Sequence, residues 1–130
     1  MPQKLGPDDI DALLELDQLC FEKPWTREAL LEELEHPDAL NLAILPNAAI
    51  LTRKIAGERW IFRIMTHPKY RRQGLAEQLL DVLPKEPLLL EVSVHNLGAI
   101  KFYEHAGFKI IAKRPNYYPE DALVMSRRVL

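Results

Sequence analysis

Cysteine is all but missing from this chain of 130 residues. Cys20 stands alone, which excludes an internal disulfide and any zinc site built from several thiolates. An excess of one charge is also missing. With 17 Lys and Arg against 19 Asp and Glu, nothing marks a general polyanion binder whose affinity comes from neutralising phosphates, and direct binding of nucleic acid is not expected. Long apolar runs are absent as well. Stretches such as Leu88-Leu89-Leu90 fall far short of the roughly 20 residues a helix needs to cross a bilayer, so no membrane partner is expected. Met1-Pro2-Gln3-Lys4-Leu5 lacks the apolar centre of a secretory signal and is expected to lead directly into an acidic helix, which places the chain in the cytoplasm. His36, His67, His95 and His105 show no metal-ligand spacing, so no metal is expected. Repeats, low-complexity tracts and linkers are likewise missing.

What is present suits one α/β domain over residues 1–130, with a hydrophobic content of 48%. Ile10, Leu13, Leu14, Leu16, Leu19 and Cys20 keep helical spacing behind Pro7-Asp8-Asp9, where proline geometry and early negative charge favour a helix start. Thr26 is expected to cap a second helix carrying Leu30, Leu31 and Leu34, stopped by His36-Pro37-Asp38, with Trp25 packing on Leu30 from before the cap. Three strands then fit Leu40 to Leu45, Ala49 to Ile55 and Arg59 to Met65, separated by Pro46-Asn47 and Ala56-Gly57-Glu58. Leu75, Leu79, Leu80 and Leu83 mark a short helix that Pro84-Lys85-Glu86-Pro87 ends. Leu88 to Val94 reads as a central strand buried on both faces. Asn96 as N-cap and Gly107 as C-terminal glycine bracket a last helix, and Phe108 to Lys113 and Ala122 to Val129 are the final strands.

The most telling stretch is Tyr70-Arg71-Arg72-Gln73-Gly74-Leu75-Ala76, between the strand Trp60-Ile61-Phe62-Arg63-Ile64-Met65 and the short helix. Gly74 and Ala76 are small enough for an anion to approach the backbone. The first turn of the helix they open offers N–H groups without intrahelical partners, and its dipole favours negative charge. Arg71 and Arg72 add two permanently charged forks suited to phosphate oxygens. The stretch therefore reads as a pyrophosphate cradle.

The Arg71-x-x-Gly74-x-Ala76 loop, the strand Leu90-Glu91-Val92, the helix Asn96…Ala99-Ile100…Phe102-Tyr103-Glu104…Gly107-Phe108 and the segment Tyr117-Tyr118-Pro119-Glu120-Asp121-Ala122 together resemble the GNAT acetyltransferases, and among them the RimI-like branch, the ribosomal-protein-alanine N-acetyltransferases. Phe21…Pro24-Trp25-Thr26 resembles an early motif of that branch. The resemblance implies a GNAT fold, a mixed and mostly antiparallel sheet flanked by helices with a splayed central strand pair. It implies acetyl-coenzyme A as cofactor, its pyrophosphate on Arg71, Arg72, Gln73, Gly74, Leu75 and Ala76, its pantetheine along Ile64, Met65 and Thr66, and Asn96 near the coenzyme arm. The branch usually has Ile-Ala-Val where this chain has Ile64-Met65-Thr66, a difference that main-chain contacts tolerate. Trp25, Tyr117 and Tyr118 would line the groove for the acceptor's first residues. Several residues usual between Tyr118-Pro119 and Glu120-Asp121 are absent, which implies a trimmed groove; the helix beginning at Gly74 and its connector are also shorter than usual, a change of surface that leaves the coenzyme site untouched.

Acetyl transfer to an amine needs a neutral nitrogen, a thioester beside it and a proton for the departing thiolate. Glu91, a carboxylate within an apolar strand, is expected either to be partly desolvated and so a better base, at the family's general-base position, or merely to pair with a lysine or arginine across the sheet. Tyr103, whose phenol ordinarily has a pKa of about 10 and so matches a thiol, stands at the general-acid position. A protein α-amine, with a pKa of about 8, is far more often uncharged at neutral pH than lysine, which favours a protein N-terminus, a ribosomal protein among the candidates, as acceptor. The alternatives are a GNAT enzyme acting on lysine or a small-molecule amine, and a catalytically silent acyl-coenzyme A-binding module. Cys20 reads as a packed helix residue.

Overall fold

The computed structural model describes residues 1–115 and 120–128. Among the described residues, seven strands and four α-helices follow one another as β1 (Gln3–Lys4), α1 (Ile10–Cys20), α2 (Arg27–Glu35), β2 (Ala39–Ile44), β3 (Ala48–Ile55), β4 (Glu58–Thr66), α3 (Leu75–Val82), β5 (Leu88–Ser93), α4 (Leu97–His105), β6 (Lys109–Arg114) and β7 (Ala122–Arg127). They divide into two compact units, Met1–Lys54 with Ile61–Pro84, and Ile55–Trp60 with Lys85–Leu130.

In the first unit β1, β2, β3 and β4 lie side by side in that order. β1 pairs antiparallel with β2 and β2 with β3, in a register that sets Leu42 opposite Ile50 and Ala43 opposite Ala49. β1 corrects the expectation that Met1 to Leu5 runs straight into a helix. Two residues carry no local strand signature; the pairing of Gln3 with Ala43 and Lys4 with Leu42 creates the strand, and the next residue, Leu5, is buried. α1 keeps its apolar stripe inward through Ile10, Leu13 and Leu16, each worth about 1.5–3 kcal/mol when fully buried. Thr26 caps α2 as expected, its Oγ1 accepting the Ala29 N–H at 3.1 Å. Leu30, Leu34, Leu51 and Met65 complete this core, with Trp25, Cys20 and Phe21 packed against it.

In the second unit β5 pairs antiparallel with β7, and β7 with β6, where a bulge lies between Ile110 and Ala112. Leu88, Leu89 and Leu90 are all buried, so β5 is enclosed on both faces as its unbroken apolar run predicts. Asn96 caps α4 by accepting the Ala99 N–H at 3.2 Å. Gly107, at φ 96°, turns the chain out of that helix in the left-handed region that glycine adopts without strain.

Candidate active site

In the first unit the strand β4 delivers the chain to the expected anion loop. Arg72 and Gly74 both take left-handed backbone angles, φ 65° and 76°. Gly74 is the N-cap of α3 and has no side chain to satisfy the helix start. The first helical hydrogen bond runs from Gln78 N–H to the Gly74 carbonyl at 3.0 Å, so the N–H groups of Leu75, Ala76 and Glu77 precede the helical ladder. A left-handed residue followed by right-handed ones turns successive N–H groups to one side, an arrangement that binds anions. Glu77 already brings a carboxylate there: its Oε2 lies 3.4 Å from where a Cβ on Gly74 would stand. Negative charge at this helix end is what the dipole favours, and the small residues leave room for it. The loop therefore fits a pyrophosphate.

Arg71 is less free than its sequence position suggests. Its Nε donates to the Thr66 carbonyl at 3.1 Å, and the Cys20 thiol donates to the same oxygen at 3.2 Å. Burial pushes the Cys20 thiol above its ordinary pKa, an effect that neighbouring Arg71 partly offsets. Cys20 is thus packed and hydrogen-bonded at the end of α1, as expected of it. Among the strand-end residues, Met65 is buried in the core while Ile64 and Thr66 are half-buried.

Trp25 sits on the α1–α2 connector beside two side chains that the sequence reading passed over. Asp17 is completely buried. It accepts from Arg63 Nε at 2.7 Å and Nη2 at 3.1 Å, and from the Trp25 backbone N–H at 2.7 Å. The Arg63 guanidinium lies 3.7 Å from the Phe21 ring centre and 4.8 Å from that of Trp25. A second pair, Arg53 with the buried Glu33, closes through Nε at 3.2 Å and Nη2 at 2.5 Å. The signal for both was present. Asp17 follows Leu13 by four and Ile10 by seven, and Arg63 alternates with buried Ile61 and Met65, so both stand at inward positions that only a paired charge can occupy.

The second unit carries Glu91, Asn96 and Tyr103. Glu91, expected to be partly desolvated or else paired with a lysine or arginine across the sheet, has such a partner: Arg114 on β6 donates from Nη1 to Oε1 at 2.9 Å and to Oε2 at 3.2 Å. The apolar run around Glu91 reflects burial of its neighbours, and the carboxylate itself is half-buried and paired. Tyr103 packs edge-on against Phe102 and Phe108, with ring centres 5.4 and 5.6 Å apart. This burial pushes its phenol up to about 12 rather than the 10 taken above, so it is wholly protonated at neutral pH. Ser93 bonds Glu120 on the approach to β7, and His95 Nε2 lies 3.4 Å from the same carboxylate. Tyr117 and Tyr118 lie outside the described residues.

Residues 29–110 match the family model described as an acetyltransferase (GNAT) domain. The chain belongs to the GNAT acetyltransferase family. This GNAT member is 33% identical to the ribosomal protein bS18-alanine N-acetyltransferase of Escherichia coli over 94% of its own length and 93% of that protein. The crystal structure of the ribosomal-protein-alanine N-acetyltransferase from Escherichia coli matches it with a TM-score of 0.86 at 30% identity, over 99% of this chain and 93% of that one. An N-alpha-acetyltransferase of Saccharolobus solfataricus is 29% identical over 92% of this chain and 87% of the relative. The GNAT fold expected from the motifs is therefore the fold observed, and the chain is an acetyl-coenzyme A-dependent N-acetyltransferase of this family. No helix among the described residues is long and apolar enough to cross a membrane.

Proposed function

We propose that residues 1–130 act as one acetyltransferase domain that moves the acetyl group of acetyl-coenzyme A to the α-amine of a protein N-terminus, with a ribosomal protein as acceptor. The observation that carries this reading is the 33% identity, spread over nearly the whole chain, to an enzyme named for acetylating the alanine of a ribosomal protein. Bound acetyl-coenzyme A supplies an activated thioester. The left-handed Arg72 and Gly74 and the N–H groups opening α3 hold its pyrophosphate, with Arg71, Gln73, Leu75 and Ala76 completing the loop, and Ile64, Met65 and Thr66 give main-chain groups to its pantetheine. Asn96, which caps α4, is assigned to the coenzyme by the family resemblance.

Glu91 takes the proton of the attacking amine, through water, and Arg114 orients its carboxylate. Tyr103, protonated throughout the physiological range, gives its phenolic proton to the departing sulfur. At neutral pH an α-amine of pKa about 8 presents far more neutral nitrogen than a lysine of about 10.4, so a base as weak as a carboxylate suffices for an N-terminal acceptor. Trp25, on the α1–α2 connector, borders the acceptor in this reading.

The test is thiol release from acetyl-coenzyme A with short peptides bearing free N termini, alanine-first peptides among them, beside N-blocked lysine peptides and polyamines. Free N termini are expected to be preferred, with alanine-first peptides best. Turnover confined to lysines or polyamines would overturn the acceptor while leaving the coenzyme chemistry in place.

A further inference from the structure

Where β5 ends, the approach to β7 brings a row of polar side chains together. Ser93 stands opposite Ala122, and the Val94 N–H donates to the Asp121 carbonyl at 3.1 Å, so the antiparallel register continues past the ends of the strands and sets His95 against Glu120. His95 Nε2 accordingly lies 3.4 Å from Glu120 Oε2. The Ser93 hydroxyl accepts the His95 backbone N–H at 3.1 Å and donates its own proton to Glu120 Oε1, so both Ser93 and the carboxylate are held in place. Glu91, two residues before Ser93, stands on the same side of the strand, opposite the buried Leu90 and Val92. The two are roughly 6–7 Å apart along the strand, a span that one water bridges.

Exposure rises along this row. The Glu91 side chain is 23% exposed, Glu120 37% and His95 75%. From β6, Arg114 pairs with Glu91, and Lys113 pairs with Asp121 at 3.2 Å. α4 opens on Leu97, Gly98, Ala99 and Ile100, none of which titrates, so among the described residues the charged partner of His95 is Glu120. A half-buried carboxylate is thus linked by oriented polar groups to an imidazole in open solvent.

The reaction leaves a proton that needs such a path. At neutral pH an α-amine of pKa about 8 is mostly charged, and R–NH3+ with acetyl-coenzyme A gives the amide, the free thiol and one proton. Of the two protons the nitrogen sheds, one ends on the coenzyme sulfur by way of Tyr103, and the other has to leave. An imidazole is the side chain suited to take up and release a proton near neutral pH.

We propose that Ser93, Glu120 and His95 carry this second proton from Glu91 to solvent, and so let the enzyme use N termini that arrive charged. The proton moves from Glu91 through water and Glu120 to His95 Nε2 and then to bulk water; Ser93 orients Glu120, and every group returns to its starting state. The inference rests on the N-terminal reading above, with Glu91 as base. Ser93, Glu120 and His95 are positioning residues in it, since they act through Glu91.

The experiment follows kcat/KM for an alanine-first peptide between pH 6.5 and 9. His95→Gln, which keeps a polar group beside Glu120 but cannot titrate, should lower it about tenfold at pH 6.5 and hardly at all at pH 9, where the α-amine arrives neutral and brings no second proton. Glu120→Gln should show the same pH-dependent loss. His105→Gln, at the exposed end of α4, should follow the wild type at every pH. Added imidazole should restore His95→Ala at pH 6.5, whereas sodium chloride at equal ionic strength should not. A defect of equal size at pH 6.5 and 9, no defect at all, or a His95→Ala enzyme indifferent to imidazole overturns the relay and leaves the N-terminal reading standing. Turnover of no free N-terminus overturns that reading and this inference with it.

Discussion

Tyr103 is held among Phe102 and Phe108, and the desolvation that lifts its phenol to about 12 fixes what it can do. It is an acid at every physiological pH and never a base. Tyr103→Phe, which keeps the ring packing and removes only the proton, should lower kcat by about a hundredfold or more while leaving acetyl-coenzyme A affinity nearly intact. Unchanged turnover would remove Tyr103 from the reaction. The same burial ties stability to pH. The folded-state pKa is raised above the unfolded value of about 10, so the contribution is complete below pH 10 and is lost as pH rises toward 12. The wild type should therefore lose of order 2 kcal/mol more than Tyr103→Phe over that window, read as the difference between their urea midpoints. Glu77 makes a contrasting case. Its carboxylate beside Gly74 complements the α3 dipole but shares the place expected of the pyrophosphate. Glu77→Gln should lose about 0.3–1 kcal/mol of stability and yet tighten coenzyme binding at low salt. Weaker binding in that variant would show that Glu77 does not compete for the helix start.

At the scale of elements, α1, α2, β5 and α4 were legible because their signals are local. The apolar stripe of Ile10, Leu13 and Leu16, the caps at Thr26 and Asn96 and the unbroken Leu88-Leu89-Leu90 each lie within a few residues of what they define. β1 was illegible because pairing with β2, about forty residues on, is what makes Gln3–Lys4 a strand. Glu91 shows the same limit at the candidate site: its place in β5 and a cationic partner across the sheet could be read, but not that the partner is Arg114, 23 residues later on β6. Asp17 and Arg63 were legible only as anomalies, charges at inward positions whose pairing across 46 residues no pattern states. Their junction joins α1, the Trp25 connector and β4. Asp17→Asn would leave the Arg63 guanidinium inside without a counter-charge, and should cost about 3–5 kcal/mol in denaturant unfolding. A loss below about 1 kcal/mol would mean that water reaches Arg63 and that the junction is not the buried pair described.

For the whole molecule, relatives and resemblance agree on the family, and what remains to be weighed is how strongly the anion loop couples ligand to fold. A ligand that binds only the native state stabilises it by RT ln(1 + [L]/Kd), about 2.7 kcal/mol at roughly 100 times Kd. For a chain of this length that should raise Tm by roughly 10 °C. If the loop holds the pyrophosphate and not the acetyl group, as proposed, coenzyme A and acetyl-coenzyme A should give similar shifts, whereas pantetheine, which has no phosphate, should give little. Gly74→Val separates the loop from the rest of the protein. At φ 76° a β-branched side chain is strained whatever the space around it, so the variant should lose roughly 1–2 kcal/mol without ligand. It should also lose most of the coenzyme shift, because the loop can no longer hold its N–H groups turned to one side. A Gly74→Val protein with a lower starting Tm but the full coenzyme shift would place the binding energy elsewhere. A shift lost in parallel with weaker calorimetric affinity would place it on the left-handed turn opening α3.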